Sequence, residues 1–384
     1  MDAPGTTLAA NLRRLREDRG WSQAALADRA QLSRDGYRKI ELGDSAPRGS
    51  TVQELARALE VPLAELLRPV PRVSHVRFRS LKRLTSRGKV LADVAIWLSN
   101  YRQVESALAD EKPFKLEQFA RRNHHADITP PALAREVRAA LGLNAHVPIR
   151  NICGLLESAG VKVFPIQVAN DAFFGLSVGL ADGGPAVVVN TFPRIAVERW
   201  IFTAAHELGH LLLHLDAYDT EDAAERPSEE READSFAAHF LLPDAAFKEE
   251  WDASAGMALV DRVLKLKRMF RVSYRTVLYR LSERPAIGNR IWMLFQVEYQ
   301  RRFGRTLLKT DEPHGLPPTA FRAAAARSSD EPEGLSPADF AEDRLRLLVR
   351  HAVEQERISL GRAGEILGLR LPEMRQLAAS WSEV

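Results

Sequence analysis

The sequence predicts an α+β protein that is mostly helical. We expect an N-terminal five-helix bundle, a central domain with a small three-stranded sheet, and a C-terminal helical region. Apolar residues recur at helical spacing along most of the chain, whereas short β-branched runs are confined to residues 161–190. The length of 384 residues exceeds that of one typical core and therefore indicates two or three domains.

The composition is that of an ordinary globular protein, with 45% hydrophobic and 27% charged residues. A formal net charge of +3 does not by itself identify a nucleic-acid binder. The single cysteine, Cys153, excludes an intramolecular disulfide and a thiolate zinc cluster. Neither a secretory signal pattern nor a run of 18 apolar residues is present, so we expect a cytoplasmic protein without a membrane partner.

Residues 7–68 are expected to form the five-helix bundle. Apolar residues at helical spacing predict a first helix over residues 8–20. Ser22 and Ser33 can each cap a short helix on either side of a tight turn, and two further helices fit residues 50–67. Two short helices across a tight turn are the arrangement of a helix-turn-helix.

This bundle resembles the XRE family of helix-turn-helix repressors. The resemblance is carried by Trp21-Ser22-Gln23, Leu26-Ala27, Ser33, Ile40-Glu41-Leu42-Gly43, Leu55-Ala56 and Leu59. It implies that residues 33–42 are a recognition helix for double-stranded operator DNA, bound by a homodimer on paired half-sites. The implied DNA-binding residues are Gln23, Ser33, Arg34, Asp35, Arg38 and Lys39. The alternative is a bundle that contacts only proteins.

Residues 69–127 are expected to be a basic linker followed by connecting helices. From Arg68 to Lys89 there are eight basic residues and no acidic one. Such a run could lie along DNA phosphates, or it could be a solvated linker. The adjacent pair His124-His125 is not expected to bind a metal, because neighbouring side chains point in different directions.

The strongest chemical motif is His206-Glu207-x-x-His210, which lies in a helical stretch over residues 197–215. Residues four apart on a helix share one face, so both imidazoles can hold one metal ion with Glu207 beside them. Catalytic zinc takes three protein ligands and leaves one position open. The motif therefore predicts one Zn²⁺ per chain and a third ligand elsewhere.

A second helical stretch, residues 228–243, supplies candidates for that ligand. We assign Glu230 as the third ligand and Asp234 as the carboxylate that orients a ligand histidine. Glu229 and Glu232 remain alternatives for the metal. Glu207 is the predicted general base of a hydrolytic reaction. A second electrophile could be any of His214, Tyr218 and His239.

Three β-rich runs precede the motif, at residues 161–166, 172–178 and 186–190. The run Ala186–Asn190 is our candidate for a sheet edge that receives a substrate as an added strand, with an internal strand as the alternative. Residues 304–338 are rich in Pro, Gly, Ser and acids and are expected to be a partly ordered linker. The helices after it have the spacing of a second, degenerate helix-turn-helix.

The two metal-site stretches resemble the ImmA/IrrE family of zinc metallopeptidases over residues 148–284. The motifs are His206-Glu207-Leu208-Gly209-His210-Leu211-Leu212-Leu213-His214, Glu230-Arg231-Glu232-Ala233-Asp234-Ser235-Phe236-Ala237-Ala238 and Leu241-Leu242-Pro243. The resemblance implies a zincin-like peptidase domain, placed at residues 128–284, that cleaves a transcriptional repressor or antitoxin-like protein. Residues 285–384 then hold the linker and the C-terminal helical module. The alternatives are a transcription regulator whose peptidase-like domain is a non-cleaving sensor or structural zinc module, and an antitoxin-type protein that acts through its C-terminal helices.

Overall fold

The computed structural model describes residues 4–67, 73, 76–78, 87–120, 128–214, 226–316, 332 and 334–381. The chain forms two compact units, Met1–Val73 with Leu84–Gln103, and Ser74–Arg83 with Val104–Val384. Within the described ranges, no helix is both long enough and apolar enough to cross a membrane.

The first unit contains a bundle of five helices, which are α1 (Pro4–Asp18), α2 (Gln23–Arg29), α3 (Arg34–Leu42), α4 (Gly49–Ala58) and α5 (Leu63–Leu67). The predicted helix-turn-helix bundle is therefore confirmed. The side-chain oxygens of Ser22 and Ser33 cap α2 and α3 by accepting hydrogen bonds from the backbone N–H groups three residues on. Leu12, Leu26, Tyr37, Leu55 and Leu59 are completely buried in its core.

A buried carboxylate, Glu41 of α3, links α3 to α1 and to the start of α2. Arg16 of α1 donates two hydrogen bonds to it, at 2.7 and 2.8 Å. The Tyr37 hydroxyl and the Gln23 side-chain amide also donate to Glu41. Burial favours the neutral acid, but the hydrogen bonds from Arg16, Tyr37 and Gln23 outweigh it and lower the pKa of Glu41. The carboxylate is therefore ionised and paired.

The second unit contains a four-stranded sheet rather than the predicted three-stranded one. Its strands are β1 (Val76–Phe78), β2 (Lys162–Ile166), β3 (Gly175–Val178) and β4 (Ala186–Asn190), in the order β1-β3-β4-β2. β2 and β4 are parallel, and the other two pairs are antiparallel. The extra strand β1 falls in the predicted basic linker. It is three residues long, and such a short run has no visible alternation to predict it.

The prediction that Ala186–Asn190 is an edge strand is wrong. β4 lies between β3 and β2, and all five of its residues are buried. A strand that pairs on both sides has no free backbone groups to offer a substrate. The continuous run Ala-Val-Val-Val-Asn fits such an internal strand, because it lacks a polar face.

Helix α6 (Arg87–Leu108) has residues in both units, and the helices described after it all belong to the second unit. They are α7 (Glu117–Ala120), α8 (Pro130–Ala140), α9 (Ile152–Ser158), α10 (Val197–Leu213), α11 (Pro227–Leu241), α12 (Asp244–Ala253), α13 (Leu259–Phe270), α14 (Tyr274–Ser282), α15 (Arg290–Phe303), α16 (Arg344–Glu354) and α17 (Leu360–Leu367). α18 (Leu371–Ser380) ends the described chain. Residues 317–331 and 333 of the predicted linker lie outside the described residues.

The central pair of helices, α10 and α11, packs unusually closely at Gly209. A Cβ atom on Gly209 would lie 3.0 Å from Cδ1 of Phe236 and 3.3 Å from Cα of Ala233. Glycine thus allows the two helix backbones to approach each other. This approach brings the first turns of α11 against the His206 and His210 face of α10.

Candidate metal centre and nucleic-acid interface

Three metal-ligating side chains meet between α10 and α11. His206, His210 and Glu230 each offer a ligand atom within 4.8 Å of the other two. The two imidazole Nε2 atoms are 2.9 Å apart. The Glu230 carboxylate lies 3.4 Å from Nε2 of His206 and 3.2 Å from Nε2 of His210. The structure therefore brings together the three residues that the sequence nominated as ligands.

The outer nitrogens of both histidines have partners of their own. Nδ1 of His206 lies 2.9 Å from Oδ1 of Asp234. Nδ1 of His210 lies 3.0 Å from Nδ1 of His214, whose Nε2 lies 3.0 Å from Oε2 of Glu232. These partners assign the protons. His206 donates from Nδ1 to Asp234, His210 donates from Nδ1 to Nδ1 of His214, and His214 donates from Nε2 to Glu232. Both ligand Nε2 atoms then direct lone pairs into the centre.

The two alternative ligands are engaged elsewhere. Glu232 contacts His214, and about half of its side chain is exposed. Glu229 forms ion pairs with Arg77 at 2.6 Å and with Arg226 at 3.2 Å. Geometry therefore favours Glu230 over its neighbours as the third ligand.

Protonation in this cluster suits a metal. Burial, followed by the neighbouring His206, lowers the pKa of His210 well below its ordinary value. Burial alone would raise the pKa of Glu230, but its closeness to the rings of His206 and His210 holds the pKa far below its ordinary value. Neutral imidazoles and an ionised carboxylate are the forms that coordinate a cation.

The residues present also fit zinc in particular. Two imidazoles and one carboxylate form a known catalytic donor set for Zn²⁺. Two buried lone pairs facing each other at 2.9 Å repel unless a cation or a proton lies between them. A zinc ion would satisfy both nitrogens and the carboxylate together.

Glu207 lies beside the three ligands with a partner on the sheet. The hydroxyl of Ser177, on β3, donates a hydrogen bond of 2.9 Å to Oε2 of Glu207. A Cβ atom at Gly175 would lie 2.6 Å from both Cγ2 of Thr203 and the carbonyl oxygen of Val188, and 3.4 Å from Oε1 of Glu207. Glycine therefore lets β3 approach α10. No sequence pattern marks Ser177 beyond its place in a β-rich run.

Two of the proposed second electrophiles, His214 and His239, are not brought to the centre. His239 lines a different cavity, where Nδ1 lies 2.9 Å from the carbonyl oxygen of Ser235. Burial, with the nearby Arg280, lowers its pKa to about 4. His214 contacts Nδ1 of His210, the nitrogen that faces away from the other ligands. Tyr218 lies outside the described residues.

One residue of the basic run, Arg77, is neither on a solvated linker nor free to contact phosphate, as the two predictions for that run required. Arg77 is buried on β1, with 5% of its surface exposed, and pairs with Glu229. It also lies 3.8 Å from Oε1 of Glu230. A phosphate contact by Arg77 is thus ruled out in this arrangement. Arg87 is exposed and Lys89 half-buried, and the other five basic residues, like the His124-His125 pair, lie outside the described residues.

The first unit presents its predicted recognition helix to solvent. The exposed residues there are Ser33, Arg34, Asp35, Arg38 and Lys39. Ser33 also caps α3, and the Gln23 amide is half-buried and donates to Glu41 at 2.9 Å. The exposed face thus carries three cations and one carboxylate, a pattern suited to phosphate and base contacts.

The fold and the site define a class: a helix-turn-helix protein that also carries a metallopeptidase-like domain. Residues 12–66 match the family model for the helix-turn-helix, and residues 156–282 match that for the IrrE N-terminal-like domain. No curated protein matches the chain. The chain thus joins an XRE-type helix-turn-helix domain to an ImmA/IrrE-type domain, and the resemblance drawn from its motifs is confirmed.

Proposed function

We propose that this protein is a DNA-binding regulator with an active zinc metalloendopeptidase domain that cleaves a repressor or antitoxin-like protein. The observation that carries the proposal is the convergence of His206, His210 and Glu230 with Glu207 beside them. A purely structural zinc site is closed by four protein ligands. Among the described residues, three ligands converge here and the proposed base adjoins them, which favours a catalytic site.

The chain's own residues have distinct tasks in this proposal. His206, His210 and Glu230 would hold the zinc, and Asp234 fixes the orientation of the His206 ring. A bound zinc ion would supply Lewis acidity toward water and the scissile carbonyl. Glu207 accepts the proton of the attacking water and passes it to the leaving amine. Ser177 holds one oxygen of Glu207 and so orients the carboxylate.

The peptidase proposal is tested by Glu207→Gln, which removes the base and leaves the three ligands in place. We expect wild type and variant each to contain about one zinc per chain. The variant should cleave the products of neighbouring repressor-like genes about 10²- to 10⁴-fold more slowly. Zinc is measured by plasma mass spectrometry and cleavage by intact-mass analysis. Glu249→Gln, an exposed glutamate with a side chain 61% accessible, is the matched control and should behave as wild type.

Other outcomes separate the alternatives. If all three proteins contain zinc and none cleaves any of these partners, the domain acts as a zinc-dependent sensor. If none contains zinc, the ligand assignment fails. If only Glu207→Gln lacks zinc, Glu207 is a ligand rather than a base.

The DNA-binding half of the proposal rests on the exposed cations of α3. We expect the chain to bind as a dimer to paired half-sites upstream of regulated genes. Arg38→Ala should weaken binding to its preferred fragment by about 1–3 kcal/mol, if Arg38 reads a base. Fluorescence anisotropy at several salt concentrations measures this loss. Arg57→Ala is the matched control, since Arg57 is an exposed arginine on α4. An equal loss for both variants would exclude a specific role for α3.

A further inference from the structure

The outer edge of β3 faces the candidate active site. Ser177 lies at the middle of this strand and bonds to the proposed base Glu207. On its other side β3 is paired with β4, so an incoming peptide could add only at the outer edge. That edge is the place where an extended substrate would lie beside the base.

In this structure the chain's own β1 takes that place. β1 pairs antiparallel with β3, and Arg77 is directly opposite Ser177. Residues directly opposite in an antiparallel pair project to the same face of the sheet. Arg77 therefore points toward the helices that carry the metal ligands, as its contacts confirm.

The side chain of Arg77 enters a negatively charged recess on α11. It lies 2.6 Å from Glu229 and 3.8 Å from Glu230, and only 6% of the side chain is exposed. Glu229 is also buried, with 10% of its side chain exposed. Arg226 also pairs with Glu229, at 3.2 Å, but its side chain is 73% exposed, whereas that of Arg77 is buried. The buried side of Glu229 therefore favours a positively charged side chain at the sheet edge.

We propose that β1 is an internal substrate mimic and that Glu229, beside the proposed zinc ligand Glu230, is a subsite for a basic residue. β1 blocks the sheet edge until it is displaced. The substrates are then extended protein segments with Arg or Lys at the position opposite Ser177. This inference rests on the proposed peptidase function, because it assigns a substrate class to the same site.

β1 belongs to the same chain as the sheet edge that it covers. It follows the helix-turn-helix residues, which end at residue 66 in the family match, by nine residues. A segment of the same chain competes with a free peptide at an effective concentration on the order of millimolar. A free peptide therefore binds well only where β1 has been displaced.

Binding in trans tests the proposal without any cleavage. The probe is a fluorescent peptide of residues 73–80, Val-Ser-His-Val-Arg-Phe-Arg-Ser, and the full-length chain carries Glu207→Gln throughout. Adding Arg77→Glu places a carboxylate against Glu229 and should displace β1. We expect the peptide to bind this variant at least about tenfold more tightly than the parent chain. Arg370→Glu, at an exposed arginine on the C-terminal side of the chain, is the matched control.

The second part of the test changes the residue of the peptide that corresponds to Arg77. A peptide with Arg77→Glu should lose binding to the opened chain, whereas one with Arg77→Lys should keep most of it. Hydrogen exchange should show faster exchange in β3 of the Arg77→Glu chain and unchanged exchange in β4. If that chain does not fold, Arg77→Ala replaces it, because it removes the cation without adding a like charge.

The outcomes are decisive for the inference. Equal peptide affinity for parent and opened chains, or undiminished binding of the Arg77→Glu peptide, would show that Arg77 has only a structural role. A folded, zinc-loaded Arg77 variant with no peptide binding would overturn the proposal as well. If the peptide binds as expected but chains with wild-type Glu207 cleave nothing, the sheet edge and its basic subsite stand as a peptide-binding site and the peptidase proposal fails.

Discussion

Two glutamates of this protein, the buried Glu41 and the half-buried Glu230, differ in what surrounds them. Glu41 receives hydrogen bonds from Arg16, Tyr37 and Gln23, all of which are donors in their usual protonation states. Glu230 faces the Nε2 atoms of His206 and His210, which act as acceptors once their Nδ1 protons are committed.

The difference teaches how a binding centre is distinguished from a structural one. The Glu41 cluster is complete, because its charge and its hydrogen bonds are satisfied by the chain alone. The Glu230 cluster brings acceptors together on one point. A group of acceptors like this stabilises the fold only when a cation is bound to it. The His206, His210 and Glu230 side chains are therefore arranged to bind a metal ion.

The largest differences in stability and in zinc content should come from removing the Glu41 and Glu230 carboxylates one at a time. Glu41→Ala leaves Arg16 buried without its partner and should destabilise the helix-turn-helix bundle by about 3–5 kcal/mol. Glu230→Ala should instead lower the zinc content from about one per chain to near zero. The metal-free stability of the second unit should change little, because the Glu230 carboxylate is proposed to act through the metal that it holds.

Peptide-resolved hydrogen exchange in the presence of a chelator compares the two units in each variant. Residues 8–59 report on the bundle and residues 197–241 on the metal centre. The comparison breaks if Glu230→Ala destabilises the metal-free second unit as strongly as Glu41→Ala destabilises the bundle. Glu230 would then be a structural carboxylate like Glu41.

A smaller effect should come from Asp234→Asn. The amide cannot hold the His206 Nδ1 proton as a carboxylate does, so the ring loses orientation and basicity. We expect zinc affinity to fall by about 10- to 100-fold, with the protein still folded. Competition with a chromophoric chelator measures the affinity. Asp252→Asn, at an exposed aspartate of α12, is the control. Unchanged zinc affinity in Asp234→Asn would remove Asp234 from the metal centre.

Local patterns made most of the helices predictable. The caps at Ser22 and Ser33 and the apolar spacing of α10 depend on residues a few positions apart, so a sequence displays them directly. The pairing of β1 with β3 joins residues about 100 positions apart. Its three residues lie among basic neighbours that predict solvent exposure. The basic neighbours were misleading for Arg77, because its partner, the buried Glu229, lies far away in sequence and is brought next to it only when the chain folds.

The sequence by itself determined the type of each domain and nominated His206, His210 and Glu230 as one ligand set. Helical periodicity fixes which side chains share a face, and metal chemistry limits which residue types can act together. Tertiary structure decided which glutamate of α11 faces the histidines, that Ser177 holds Glu207, and that β1 covers the outer edge of β3. These relations depend on how closely helices and strands pack in space, and no short-range pattern encodes that distance.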